Sequence, residues 1–538
     1  MRKGKRLAAW LLAALLVLSL SGCRGETEQT VSAALTGQIT TLDPAMVTTD
    51  GERMVAAHLY ENLLKLKSDG EGGVTAAPGM AESWRCEEQL DGTEVYTFSL
   101  RRDVTWSDGQ RLTASDFVYA WQRLADPATG SPNAALLDMV AGYDQARGGD
   151  PAALAVSAPA EDTLQVVLAH RCTYFLSSVC TDPAAAPVRA DPAPETMWPA
   201  GQAQVVGNGP YAVTEYGAEA LTAEAREGYY DRKTLGPDVL RFCPADTAEL
   251  AARRYQEEDL DFLPGEPGVV LGGGDEADVS PVVGVLLVNQ MAQVTEDETL
   301  RRALSLAVDR TSLAAGLGGG CLPAEGLVPY GVRSTQGEDF RTLRGSVIDN
   351  ESEDLQANRD AARTMLREAG YDDAALAALG QVPLLHSDTP LQKAAAHALQ
   401  DTWQQELGLS VKLVEVTAEE LDTALARGEF TMALTTVRGD RNDPIAYLGT
   451  WRSGGEGNWA NFHANAYDLL LNLSDDSSSA EARDAYLGDA EQLLLDKGNV
   501  TPLIFTTRSY RLRQGLTGLF SDGMGVYYLT GLHTASNG

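Results

Sequence analysis

The chain has 538 residues, with 42 Lys plus Arg against 76 Asp plus Glu, a formal charge of −34. That length is more than one compact hydrophobic core accommodates, so two or three lobes are expected. The acidic excess runs along the whole chain as solvated surface and argues against nucleic acid or an anionic membrane as the main partner.

Arg2, Lys3, Lys5 and Arg6 precede an apolar run over 7–20, followed by Ser21-Gly22-Cys23. A basic start, a short apolar stretch and small residues predict a secretory signal over 1–22. Leu20-Ser21-Gly22-Cys23 resembles a bacterial lipobox, which implies cleavage before Cys23 and a diacylglycerol on its sulfur; the alternative is an ordinary signal or a short membrane anchor. No later stretch is long and apolar enough to cross a bilayer, and the polar run up to residue 30 reads as a flexible tether.

The fold is expected to begin at 31–35, followed by a loop or extended piece at 44–50 and a helix over 54–64. Asp91-Gly92 marks a hairpin within 83–100, with Tyr96, Phe98 and Leu100 on one face. Residues 101–109 read as a strand closing in a tight turn. Thr113 and Asp116 then form a capping box for a helix whose apolar stripe is Phe117, Ala120, Trp121 and Leu124, ended by Asp126-Pro127. These aromatics read as core and not as a stacking platform. Leu300, Ala303, Leu304, Ala307 and Val308 share one helix face, which Asp309-Arg310 closes.

Residues 382–386 read as a strand, 391–407 as a helix stopped by Gly408, 410–416 as a strand and 418–426 as a short helix. Phe430, Met432 and Leu434 then alternate with smaller residues as a third strand, until Val437-Arg438-Gly439-Asp440-Arg441-Asn442-Asp443-Pro444 breaks the pattern. This βαβαβ order favours parallel strands with right-handed crossovers, and such sheets bind ligands beyond the carboxyl ends of their strands. Asp440 lies at such an end; Asp440 and Asp443 serving only the turn is the competing reading.

Catalytic and metal chemistry find little support. There is no GxSxG, HExxH, phosphate loop or helix-opening GxGxxG. The six histidines are scattered, and Cys86, Cys172, Cys180, Cys243 and Cys321 show no ligand spacing. They read as buried small residues with at most one or two disulfides, whose pairing stays open. No cofactor and no enzymatic activity are expected.

The block Thr97-Phe98-Ser99-Leu100-Arg101-Arg102-Asp103-Val104-Thr105-Trp106-Ser107-Asp108-Gly109, continued by Leu112-Thr113-Ala114-Ser115-Asp116-Phe117, resembles the signature of the family 5 bacterial extracellular solute-binding proteins, which include oligopeptide- and dipeptide-binding proteins of ABC importers. Leu42-Asp43-Pro44, Gly79-Met80-Ala81-Glu82-Ser83-Trp84, Gly207-Asn208-Gly209-Pro210-Tyr211, the 300–310 helix, 361–371 and 403–413 resemble further family motifs in the family's order. The resemblance implies an α/β, periplasmic-binding-protein-like fold of two lobes with a hinge cleft and an extra domain inserted in the first. Carried over, lobe 1 is 31–60, 200–283 and 502–538, the extra domain 61–199, and lobe 2 284–501, after a lipidated tether at 23–30.

It also implies a monomeric, extracytoplasmic lipoprotein, anchored through Cys23, that hands short peptides to permease and ATPase subunits. In the family's peptide binders an Asp on the lobe 2 loop takes the ligand's α-ammonium, and here Asp440 matches that position. Val437, Arg438 and Gly439 would form one edge pairing with the peptide backbone, and Val47, Thr48 and Thr49 the facing one. Arg438, two residues from Asp440, is placed either to neutralise it or to bind the ligand's carboxylate. A non-peptide solute, peptide sensing without import and, least supported, a hydrolase are the other functions weighed.

Overall fold

A computed structural model describes residues 29–68, 74–191, 205–268, 271, 276–455 and 457–535. Cys23 and the predicted signal lie outside the described residues.

Among the described residues one sheet of eleven strands runs through the molecule, ten on a single path and the short Cys321–Pro323 paired off it to Val500–Leu512. Its path starts at Val411–Val416, Val382–Ser387 and Met432–Arg438 and passes through Glu276–Val288 and Val500–Leu512. It ends through Phe262–Pro264, Thr30–Thr36, Val239–Ala245, Leu221–Ala225 and Tyr211–Tyr216. The first three strands are parallel, with helices Pro390–Glu406 and Ala418–Arg427 as the crossovers, as the βαβαβ reading expects. Ala395, Leu399 and Trp403 bury the first helix against the sheet, and Gly408, at φ +73°, supplies the left-handed turn that ends it.

Glu276–Val288 and Val500–Leu512 are long antiparallel partners that run from one core into another. Tyr510 and Leu512 pack with Val31, Phe242 and Tyr527. Further along, Leu286, Val288 and Ile504 enter a core with Leu399 and Trp403, and Val285, Leu287 and Phe505 one with Leu425 and Tyr447. This part of the sheet is therefore covered on both faces, the usual consequence of helical crossovers. Between the two ends the register slips, from Val279 opposite Thr507 to Val283 opposite Phe505, so that Ser280-Pro281-Val282 bulges out of the ladder. Pro281 has no N–H to lose there.

A separate four-stranded antiparallel sheet, ordered Ala81–Glu88, Glu94–Leu100, Thr163–Leu168 and Val156–Ala160, carries the helix Ala114–Ala125 on one face. Phe98, Phe117, Trp121 and Phe175 are fully buried between them, and the Trp121 indole donates to the Ala185 carbonyl at 2.8 Å. The Thr113–Asp116 capping box is present, with the Thr113 amide 2.8 Å from the Asp116 carboxylate.

Several boundaries differ from the sequence reading, each for a local reason. The helix expected at 54–64 is Asp50–Leu59, because Thr49 caps it in a box with Glu52. It ends early because Gly209 takes the Leu59 carbonyl at 2.9 Å; a Cβ on Gly207 or Gly209 would collide with that backbone. Residues 101–109 form no strand: only Thr105 bridges Arg111, around Gly109 at φ +87°, and the Ser107 amide goes to the Gly207 carbonyl. Asp309 does not close the preceding helix but caps the next, Arg310–Leu317, through the Ser312 amide at 2.8 Å. The strand before Asp440 extends to Arg438, because Val437 and Arg438 still pair with Val283 and Val282. All five described cysteines are unpaired, and Cys86 is exposed, not buried. No helix among the described residues is long and apolar enough to cross a membrane.

Candidate functional site

A cavity of about 600 Å³ opens between the Arg438–Asp443 loop on one side and Val47, Thr48, Asn133 and Tyr174 on the other. Topology puts the loop there, since it leaves the carboxyl end of Met432–Arg438. This strand pairs with Val382–Ser387 only at Met432 and Ala433, but with Glu276–Val288 along its full length. From Leu434 onward it has no second ladder partner.

Asp440 borders the cavity with its side chain 47% exposed. Both its oxygens accept from Arg441, at 3.0 and 2.9 Å. The Arg441 guanidinium is buried, lies 5.2 Å from the centre of the Tyr174 ring and stands 3.6 Å from a second carboxylate, Asp138. Burial pushes the Asp138 carboxyl above its usual range, with Arg441 pulling back and Asp440 adding to the push. One cation is thus shared by two acids. The neutralising partner of Asp440 is Arg441 and not Arg438.

Arg438 reaches the other way. It donates to Asp50 at the start of helix Asp50–Leu59, and to the Met524 carbonyl at 2.9 Å. Asp50 also accepts from Arg508 at 2.6 Å. Gly439 lies against the Tyr447 ring, leaving no room for a Cβ, while the Tyr447 hydroxyl donates to the Pro281 carbonyl at 2.9 Å. Val437 is half-buried against the neighbouring core and is not part of the cavity wall.

The facing segment is more committed than the sequence suggested. Val47 and Thr48 line the cavity, whereas Thr49 lines a smaller one beside Asp50 and Arg508. The Thr48 and Thr49 amides donate to Glu52 at 3.1 and 3.3 Å, and the Val47 carbonyl accepts from Asn133 at 2.8 Å. Only part of that backbone remains open to a ligand.

Asp443, three residues past Asp440, has a different job. It is 4% exposed, takes two bonds from Arg483 at 2.8 and 3.0 Å, and accepts the Ile445 amide at 2.9 Å. Asn442 ties the loop to its surroundings, accepting from the Arg333 amide at 2.7 Å and donating to the Asp522 carbonyl at 3.3 Å. Asp522, also on the cavity wall, is pushed up to about 6 by burial, against the pull of the Val526 and Met524 amides. Arg53 pairs with Asp182 at 3.3 Å and donates to Asn133 at 2.5 Å. Among the described residues no three His, Cys, Asp or Glu side chains gather as a metal site would need.

Sequence reasoning found the loop and its first acid but missed Asp50, Asp138, Tyr174 and Arg508. Arg441 stood next to Asp440 and was a readable signal; the other four come from distant stretches and carried none.

Three comparisons bear on this arrangement. The profile described as "Bacterial extracellular solute-binding proteins, family 5 Middle" matches residues 75–459. The chain is 28% identical over 530 residues to the periplasmic oligopeptide-binding protein OppA of Escherichia coli, covering 94% of this chain and 93% of that protein. It is 26% identical over 477 residues to the dipeptide-binding protein DppE of Bacillus subtilis, covering 87% and 85%. Its structure is similar to the unliganded open form of the periplasmic murein tripeptide-binding protein MppA, with a TM-score of 0.76 at 25% identity over 94% of this chain and 98% of that one.

Proposed function

The chain belongs to family 5 of the bacterial extracellular solute-binding proteins, and on that premise we propose that it captures short peptides in the cleft for a membrane importer. The observation that carries this reading is the Asp440 carboxylate: half exposed at the cavity mouth, beside a strand end with an unused edge. The peptide's α-ammonium docks on Asp440, where a shut cleft strips its water and a paired carboxylate offsets the loss. Its backbone lies along Val437, Arg438 and Gly439, with Val47, Thr48 and Thr49 facing it.

Lobe 1 comprises 31–60, 200–283 and 502–538, the extra domain 61–199, and lobe 2 284–501. The two long strands that cross between lobes break register at Ser280-Pro281-Val282, which suits a hinge. The protein acts as a monomer held at the membrane by lipid on Cys23, and hands its closed form to permease and ATPase subunits. It needs no cofactor and performs no catalysis.

The test is mass spectrometry of ligand released from natively purified protein, followed by thermal stabilisation with peptide mixtures. Short peptides are expected in the released fraction, and N-terminal acetylation is expected to remove their stabilising effect. A sugar or metal chelate as the sole stabilising solute would overturn the reading.

A further inference from the structure

A second cavity, of about 250 Å³, lies apart from the cleft and shares no wall residue with it. It opens between the end of helix Glu298–Leu306, the start of helix Arg310–Leu317, the loop at 347–350 and Pro502. Helices Ser352–Glu368 and Ala480–Asp496 complete the wall. Leu306, Val347, Ile348, Leu355 and Leu495 make much of that wall apolar. Arg310 is the buried charge on it, 5% exposed.

Arg310 is compensated less than the other buried arginines among the described residues. Arg189, Arg341, Arg441, Arg483 and Arg508 each pair with a carboxylate. Arg301 has no such partner there but donates to the Thr295, Glu296 and Lys497 carbonyls. Arg310 donates from Nε to the Pro502 carbonyl at 2.6 Å and from Nη2 to the Ser305 hydroxyl at a long 3.4 Å; Nη1 has no partner among the described residues. Pro502 and Ser305 both line the cavity, so the guanidinium stands at its wall with Nη1 and one Nη2 hydrogen uncommitted. Burial lowers its pKa to about 10, and no carboxylate pulls it back up. The acids of the same wall are bonded elsewhere: Asp309 to the Ser312 amide and hydroxyl, Asp349 to the Glu351 amide and Asp496 to the Gln492 side chain.

We propose that this cavity is a second ligand site, for a small organic monocarboxylate with an apolar body, whose carboxylate docks on Arg310. Adjacent free N–H groups on a planar guanidinium match the two oxygens of a carboxylate, and the charge-assisted bonds offset the cost of a buried cation without a counter-ion. The apolar wall covers the ligand's hydrocarbon. Asp309, Asp349 and Asp496 repel any further negative charge, which favours a monoanion over phosphate. A space of about 250 Å³ is smaller than a drug-sized pocket, so the ligand is short. This site stands whether or not the cleft takes peptides.

The experiment is isothermal titration of the full mature protein with isovalerate, hexanoate and hydrocinnamate, each against its own amide, and with inorganic phosphate. At least one of the acids is expected to bind, with its amide about tenfold or more weaker, the size of one lost charge-assisted hydrogen bond, and with phosphate weaker than the acid. Arg310→Gln is expected to lose the preference for acid over amide. Asn358→Trp tests the site with the guanidinium kept, in case Arg310→Gln does not fold. Asn358 is half-buried on the wall and makes no side-chain hydrogen bond among the described residues, so a larger side chain there fills the cavity without breaking a contact. This variant is expected to lose acid binding and to unfold thermally as wild type does. The proposal is overturned if none of the acids binds, if acid and amide bind alike, or if phosphate binds more tightly than every acid. Acid binding that survives in Asn358→Trp overturns it as well, since the acids then bind elsewhere.

Discussion

Asp440 and Asp443 belong to one loop, three residues apart, and the structure uses them in opposite ways. Asp443 is buried, matched one to one with Arg483 and bonded to the next helix; Asp440 is half exposed and shares its cation with Asp138. The first is closed as a bonding problem and the second is open. A carboxylate whose oxygens are all committed inside the fold holds the loop still. One with a shared partner and an open face can take up a ligand's charge. Residue type and turn propensity are the same at both positions, so burial and partner count make the difference.

The largest expected effect tests the closed half. Arg483→Ala leaves the Asp443 carboxylate buried without a partner, and about 3–5 kcal/mol of stability should be lost in chemical denaturation. A loss under about 1 kcal/mol, the range of an exposed pair, would put Asp443 in the same class as Asp440.

His58, which does not line the cavity, offers a buried control. Its Nδ1 faces the Met54 carbonyl at 2.6 Å and its Nε2 accepts the Leu529 amide at 2.9 Å, so the ring is held neutral. Burial lowers its pKa to about 4, from an ordinary 6.5. The unfolded chain therefore binds the extra proton first. This contribution is complete above pH 6.5 and is lost as pH falls toward 4. Stability should drop by on the order of 3 kcal/mol over that window, and His58→Gln should flatten this part of the pH profile. An unchanged profile would contradict it.

Asp522 runs the other way. Its carboxyl is raised to about 6 from an ordinary 3.8, so the fold favours the protonated form. Stability from this group is present below 3.8 and lost as pH rises through 6. Asp522→Asn, which keeps an acceptor for the Met524 and Val526 amides, should stabilise the protein by about 3 kcal/mol at pH 8 and leave it unchanged at pH 4. Equal effects at both pH values would remove the electrostatic explanation. The smallest effect on stability belongs to the open half: Asp440→Asn should change unfolding of the ligand-free protein by less than about 1 kcal/mol, as for exposed ion pairs.

Local patterns carried much of this molecule. The alternation at Met432 and Leu434, the four-residue spacing of Ala395, Leu399 and Trp403, and the Thr113–Asp116 box are all signals within a few residues, and the elements they mark formed as expected. The failures came where distant backbone decides. The helix starting at Asp50 ends at Leu59 because a loop about 150 residues later takes its carbonyl, and no spacing near Leu59 records that. At the site, Asp440 was legible from its place after a strand, but its charge environment was not. Asp138 and Asp50 meet the loop through Arg441 and Arg438, across a cleft that the sequence does not draw.

The central claim is that Asp440 receives a ligand's ammonium. Isothermal titration of wild type and Asp440→Asn with a stabilising peptide and its N-acetyl form isolates that one contact. Acetylation is expected to weaken binding to wild type by about tenfold or more and to have little effect on the variant, because the contact is already gone. Equal acetylation penalties in both proteins would contradict it and move the ammonium site elsewhere.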